Sequence, residues 1–187
     1  MSAKKVILAI TGASGALLAI EFLKLMQENR VEVHAMISDA GRKVLELEEG
    51  KTWDAIKHLA AAWHDVHDFT APMASGSARF EAMVVLPCSM GTLAAIANGL
   101  SGNLIHRAAD VTLKERRRLL LAVRETPFNR THLQNMLQVH DAGATICPPM
   151  PAFYHKLGSF QEMARVFGGR LADLLDIEIE DQPRWGQ

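Results

Sequence analysis

Short apolar runs, separated by stretches of helical periodicity, constrain the fold of this chain more than any other feature. Four are strong, Val6–Ile10, Val31–Ile37, Met83–Leu86 and Leu119–Val123, and a fifth, Ala144–Cys147, is weaker. Each has strand length and is nearly continuous rather than alternating, the pattern of a strand covered on both faces. Helical patterns run over Ala16–Glu28, Asp39–Glu49, Thr52–Ala62, Thr92–Asn98, Asn103–Arg116 and His132–Ala142. A last helix fits Ser159–Leu175, with Ser159 as N-cap and Glu162 in the capping-box position. Strands and helices in alternation predict an α/β fold: a single doubly wound, Rossmann-like (flavodoxin-like) domain spanning 1–187, with a mainly parallel sheet. No repeat, low-complexity tract or linker divides the 187 residues. Pro148–Pro151 reads as a loop, and the tail after Ile179 as extended.

A formal net charge of -1 leaves no global field to recruit nucleic acid or an anionic membrane, so any affinity for phosphate must come from a local cluster. Cys88 and Cys147 form no CxxC pair, which points to a reducing compartment. The start, Met1–Lys5, is basic, but the apolar run after it is too short for a signal segment. No run approaches the ~20 apolar residues that span a bilayer. The expectation is a cytoplasmic protein that engages neither membrane nor nucleic acid.

In a doubly wound sheet, ligands sit beyond the carboxyl ends of the strands, and the notable polar motifs here follow apolar runs. Thr11-Gly12-Ala13-Ser14-Gly15 follows the first. Its glycines let backbone approach a ligand, and the next helix offers free N–H groups. It is not GxGxxG, and it reads either as a site for a nucleotide-like or flavin ligand or as a tight turn capped by Ser14. Ser38-Asp39 follows the second run; Ser38 donates to a phosphate or caps the next helix, and capping is preferred on the residues alone. Pro87-Cys88-Ser89-Met90-Gly91-Thr92 again places hydroxyls and N–H groups at a helix start. Cys88 there is read as a buried structural thiol rather than a nucleophile.

Further along, Arg107, Asp110 and Lys114 share one helix face at i, i+3 and i+7, either as a solvated salt-bridged row or as cations flanking buried surface. Arg124-Glu125 stands directly after the fourth run, where two charges are costly to bury unpaired, which favours a functional reading. Pro148-Pro149-Met150-Pro151-Ala152-Phe153-Tyr154 holds Tyr154 on a stiff loop, as a lid over a small apolar group or as a plain turn. His64-Asp65-Val66-His67-Asp68 lacks a partner cluster and is read as a solvated loop or edge strand, with no metal assigned.

Together these segments resemble the UbiX-like flavin prenyltransferase family, within the homo-oligomeric flavin-containing cysteine decarboxylase-like proteins. The resemblance covers nearly the whole chain. It is carried most specifically by Asn103–Pro127, with TGASG at 11–15, ASGS at 74–77, PCSMGTLAAIANG at 87–99, HLQNML at 132–137, PPMPAFY at 148–154 and the closing Pro183-Arg184-Trp185-Gly186.

The resemblance implies that FMN is held by Gly12, Ala13, Ser14, Ser38, Ser89, Met90, Gly91, Thr92 and Arg124. The first loop would lie near the flavin ring, the other residues nearer its phosphate. It implies that dimethylallyl monophosphate is gripped by Lys114, Tyr154 and Arg170, with Arg107 nearby. Ser14, Glu48, Lys114 and Glu125 become the catalytic residues, Glu48 and Glu125 as acid/base carboxylates. The implied reaction joins a dimethylallyl group to N5 and C6 of reduced FMN without a metal, and the prenylated FMN serves a partner decarboxylase. Trp185, from a neighbouring subunit, would shield the allyl cation. The family forms dodecamers, with tail residues 178–187 packing on a neighbour. A flavin-dependent decarboxylase of the same superfamily is the alternative enzyme, although the first helix has no His. A non-catalytic flavin carrier is the alternative of another class.

Overall fold

The computed structural model describes residues 4–180 and 182–186. Met1–Ala3 of the basic start, and Asp181 and Gln187 of the tail, lie outside them. Six strands form one sheet: β1 (Lys5–Ile10), β2 (Glu32–Ile37), β3 (Ala62–Trp63), β4 (Ala82–Cys88), β5 (Arg118–Val123) and β6 (Thr145–Ile146). Their order is β3-β2-β1-β4-β5-β6, and every neighbouring pair is parallel. That is the Rossmann order, with the topological switch between β1 and β4.

Six α-helices connect and cover the strands: α1 (Ala16–Glu28), α2 (Asp39–Glu49), α3 (Met90–Ala97), α4 (Leu104–Lys114), α5 (Arg130–Asp141) and α6 (Phe160–Leu174). The near-continuous apolar runs are explained by two cores. Val6, Leu8 and Ile10 point into the layer of α1 and α6, while Ile7 and Ala9 point into the layer of α3 and α4. Each fully buried Leu or Phe in these layers contributes about 1.5–3 kcal/mol from area removed from water. Helix α1 is buried on most of its circumference because α6 packs on the side away from the sheet.

The helix expected over Thr52–Ala62 does not form. Single 3-10 turns at Trp53–Ala55 and Lys57–Leu59 lead instead into the edge strand β3. Tertiary contacts override helix propensity there. Ala61 N and His64 N donate to Val33 O and Ala35 O of β2, at 2.9 Å each. The Trp53 ring lies under the Arg42 and Lys57 cations and edge-on to Trp63.

The capping box expected at α6 is offset by one residue. Ser159 Oγ accepts from Glu162 N at 3.1 Å, but the Glu162 carboxylate accepts from Gly158 N at 2.7 Å, not from the N-cap N–H. Pro87, inside the central strand β4, has no N–H to give to a ladder and stands where the β4–β5 register shifts between Val85 and Cys88.

Candidate active site

At the switch point the loops after β1 and β4 are tied together. Thr11 Oγ1 donates to Pro87 O at 2.7 Å and accepts from Ser89 N at 2.9 Å. Thr11 is buried, so this exchange fixes the spacing of the two ligand-side loops. The chain then enters α1 through Gly15, whose φ of 118° is left-handed and excludes most side chains.

Ser14 does not cap α1, contrary to the turn reading of the sequence. The cap comes from α2: Glu48 Oε2 accepts from Gly15 N and Ala16 N at 2.9 Å each. Burial pushes the Glu48 pKa up, but bonds from the Ser14 hydroxyl and those two N–H groups, with the nearby Arg124 charge, outweigh it and leave the pKa lowered. Arg124 Nε donates to Ser14 O at 3.1 Å from the end of β5. Ser14, Glu48 and Arg124 therefore converge from three elements far apart in sequence, and at neutral pH Glu48 stands as an anion.

Across the crevice, Ser89 caps α3, its Oγ accepting from Thr92 N at 3.3 Å and donating to Thr92 Oγ1 at 3.1 Å. The N–H groups of Met90 and Gly91 have no intrahelical partner by geometry, and a Cβ on Gly91 would meet open space. Ser38 caps α2 by accepting from Gly41 N at 3.0 Å, as the capping reading holds, and its own O–H has no acceptor among the described residues. No carboxylate among the described residues lies within ion-pair distance of Arg124. These donors fit an FMN phosphate, with Gly12, Ala13 and Ser14 across from them for the ring.

Cys88 beside the crevice is fully buried, and burial pushes its thiol up to about 12. Burial and a raised pKa fit a structural thiol. Glu125 is exposed rather than buried, and its Oε1 accepts from its neighbour Thr126 N at 2.9 Å. Within one chain Glu125 is therefore not a buried charge, although it stands beyond β5 beside Arg124.

A second cavity, of about 550 Å³, opens beyond β6 and under α6, with Tyr154, Arg170, Arg184 and Trp185 in its wall. Tyr154 meets Trp185 edge-on with centroids 4.8 Å apart. Of the four residues expected at the prenyl phosphate, this cavity gathers Tyr154 and Arg170. It does not gather the other two. Arg107 pairs with Asp110 at 2.8 Å and donates to Ala74 O at 3.0 Å, on the salt-bridged row that one reading of the sequence gave it. Lys114 pairs with Glu115 at the carboxyl end of α4, beside the amino end of β5. Arg124 lies at the other end of that strand, roughly 20 Å away for six residues at about 3.3 Å each.

Sequence reasoning missed Thr11 as the tie between loops, Glu48 as the cap of α1, and Arg184 and Asp173 in the wall of the second cavity. A signal existed for Asp173 alone, since it stands at i+3 from Arg170. The Glu48 cap joins positions 33 apart and has no local signature.

A family model described as Flavoprotein matches residues 1–167. The flavin prenyltransferase UbiX of Methanocaldococcus jannaschii is 46% identical over 182 residues, covering 97% of this chain and 98% of that protein. The crystal structure of AnUbiX (PadA1) in complex with FMN and dimethylallyl pyrophosphate superposes with a TM-score of 0.97 at 44% identity, covering 100% of this chain and 99% of the other. The dodecameric FMN-dependent UbiX-like decarboxylase from Escherichia coli O157:H7 superposes with a TM-score of 0.93 at 38% identity, covering 98% and 99%.

Proposed function

The chain belongs to the flavin prenyltransferases of the Flavoprotein family, and on that premise we propose that its switch-point crevice holds reduced FMN and its second cavity the donor phosphate. It is a transferase that moves a dimethylallyl group from a dimethylallyl phosphate to FMN. The observation that carries the site assignment is the convergence of Ser14, Glu48 and Arg124 on the loop after β1, facing the α3 N-terminus.

Reduced FMN, as substrate, would supply N5 and C6 as nucleophiles. An N5–carbon bond would replace the allylic C–O bond, whose electron pair leaves with the phosphate as N5 gives up its proton. Protonation of the dimethylallyl double bond would then let C6 bond the tertiary carbon with loss of the C6 proton. The chain's own residues prepare that event. Arg124, Ser38 and the Met90 and Gly91 N–H groups hold the flavin phosphate. The Glu48 anion fixes Ser14 and Gly15 at the ring side. Arg170 and the Tyr154 hydroxyl stabilise charge on the leaving phosphate, each strong donor supplying roughly 3 kcal/mol by analogy with an oxyanion hole. Glu125, beyond β5, is the carboxylate placed to move a proton.

We further infer that the working form is a homo-oligomer, a dodecamer, in which Lys114 and Arg107 of one copy serve another copy's donor site. The tail lies on α6 of its own chain, and its outer face, with Trp185 78% exposed, is left for a neighbour. The preferred donor is dimethylallyl monophosphate, the product passes to a partner decarboxylase, and free Cys88 and Cys147 support a cytoplasmic setting. The test is mass spectrometry of the flavin after anaerobic incubation of the protein with reduced FMN and dimethylallyl monophosphate. A gain of one five-carbon unit is expected; an unchanged FMN mass sinks the reading.

A further inference from the structure

Asp173, on the last full turn of α6, stands between two guanidinium groups of the same cavity. Its two carboxylate oxygens lie 3.0 and 3.3 Å from the Arg184 nitrogens. Arg170, one turn earlier on the same helix, comes no closer than 3.9 Å to Asp173. The Asp173 side chain is 20% exposed and that of Arg170 65%. An i, i+3 pair on a helix can close to hydrogen-bond distance; here the carboxylate makes its close bonds to the tail and holds Arg170 only as a longer ion pair, on the cavity wall.

The tail that brings Arg184 is anchored independently of this pair. Gln182 lies flat on Gly169, where a Cβ would come within 1.7 Å of Gln182 Oε1, and its Nε2 donates to Val166 O at 3.1 Å. A side chain at position 169 would have to turn the end of the Gln182 side chain aside. Trp185, one residue past Arg184, closes against Tyr154.

We propose that Arg184 is a positioning residue for the donor site: by occupying Asp173, it keeps the Arg170 guanidinium free to bind phosphate. Remove Arg184, and Asp173 is a vacant carboxylate one helical turn from Arg170. A charge-assisted bond then forms between them and competes with the incoming phosphate. The proposal rests on the donor-site reading of this cavity and adds to it a residue that never touches the donor.

The test is a suppressor experiment on the full-length protein with reduced FMN, read as KM for dimethylallyl monophosphate against kcat. Arg184→Gln is expected to raise KM about tenfold with kcat little changed, the order expected when a charge-assisted bond must be broken first. Adding Asp173→Asn to Arg184→Gln removes the competitor and should restore most of the lost affinity. FMN retention, read by absorbance, stays constant throughout. A double variant no better than Arg184→Gln alone overturns the proposal, because it means Arg184 binds phosphate itself or only supports the fold. An unchanged KM in Arg184→Gln overturns it as well. Arg170→Met separates the two levels. If it leaves KM unchanged, the donor-site reading fails and takes the proposal with it; if it raises KM while the suppressor fails, only the proposal falls.

Discussion

The Glu48 carboxylate closes the amino end of a helix to which it does not belong, with one oxygen 2.9 Å from Gly15 N and 2.9 Å from Ala16 N. Because Gly15 has a left-handed backbone and no cap of its own, the loop that faces the flavin crevice depends on α2 for its shape. Flavin-side geometry and helix docking are in this way one interaction. An anion at that position also meets the positive end of α1, so two electrostatic terms favour the ionised state.

Replacing Glu48 with Gln keeps the size but removes the charge. Loss of stability of about 1 kcal/mol is expected, the scale of a lost N-cap on a partly exposed site. The Glu48 pKa is lowered in the folded chain from an ordinary 4.5, so its contribution is complete above that value and is lost as pH falls through the folded pKa. Denaturant titrations of both proteins at pH 7 and in the acid limb should converge at low pH. A constant gap across the series would show that the charge is not what Glu48 supplies.

Cys88 gives a sharp chemical prediction. With its thiol buried and its pKa pushed up to about 12, it stays unlabelled by a thiol reagent in the native protein at pH 8 and reacts only on unfolding. Cys88→Ala should keep prenyl transfer. Activity abolished by that change, with the fold intact, would return the nucleophile hypothesis to the crevice.

Strand and helix spans were legible in the sequence wherever burial on two faces wrote a long apolar signal. The runs that mark β1, β2, β4 and β5 fall in that class, and α1 and α2 match their expected bounds. What escaped was written by contacts distant in sequence. Strand β3 is two residues long and is held by β2 carbonyls, so its own pattern, Ala62-Trp63, carries almost nothing. In the site, the anion-ready residues after β1, β4 and β5 could be found because a parallel sheet gathers such loops at one edge. The Glu48 cap, the Thr11 tie and the Asp173–Arg184 pair could not, since each joins elements through folding alone. The row Arg107, Asp110, Lys114 shows the converse limit: helical spacing placed the three on one face but not at which end of the sheet that face would work.

Glu125→Gln separates an enzyme from a carrier. The side chain is exposed and its bond to Thr126 N survives the change in form, so FMN should be retained. Turnover should fall by about 10²-fold or more if the carboxylate moves a proton in the rate-limiting step. Full turnover in this variant removes Glu125 from the chemistry.

At the far edge of the sheet, His64 forms a stacked pair with His34, its Nε2 3.0 Å from His34 Nδ1, while His34 Nε2 meets Glu32 Oε1 at 2.9 Å. Burial lowers the His64 pKa below 6.5, the His34 charge lowers it further and Asp68 opposes both. The unfolded chain thus takes up a proton near pH 6.5 that the folded chain resists, and stability declines as pH drops from 6.5 toward the folded value. Denaturant midpoints for the protein and for His64→Gln, measured from pH 7.5 to 5.5, should show a shallower decline in the variant. Equal slopes would mean that protonation of His64 is not coupled to folding.

Lys114 provides the strongest test of how the donor site is assembled. In one chain it lies at the amino edge of the sheet, while Arg170 and Tyr154 line a cavity at the carboxyl edge. The whole of β5 separates the two edges, and Lys114 is paired there with Glu115. No rotamer of a lysine bridges that span. If Lys114 acts on the donor phosphate, the site must combine Lys114 of one copy with Arg170 of another. Lys114→Met and Arg170→Met should each lower kcat/KM for the donor sharply when alone. Co-expressed, they should form mixed oligomers in which a Lys114 from the second variant meets an Arg170 from the first, and activity should return. Mixed oligomers no more active than either variant would place both side chains in one protomer's site, or remove Lys114 from the reaction. The return of activity requires no change in either chain's fold, because each variant keeps the residue the other lacks.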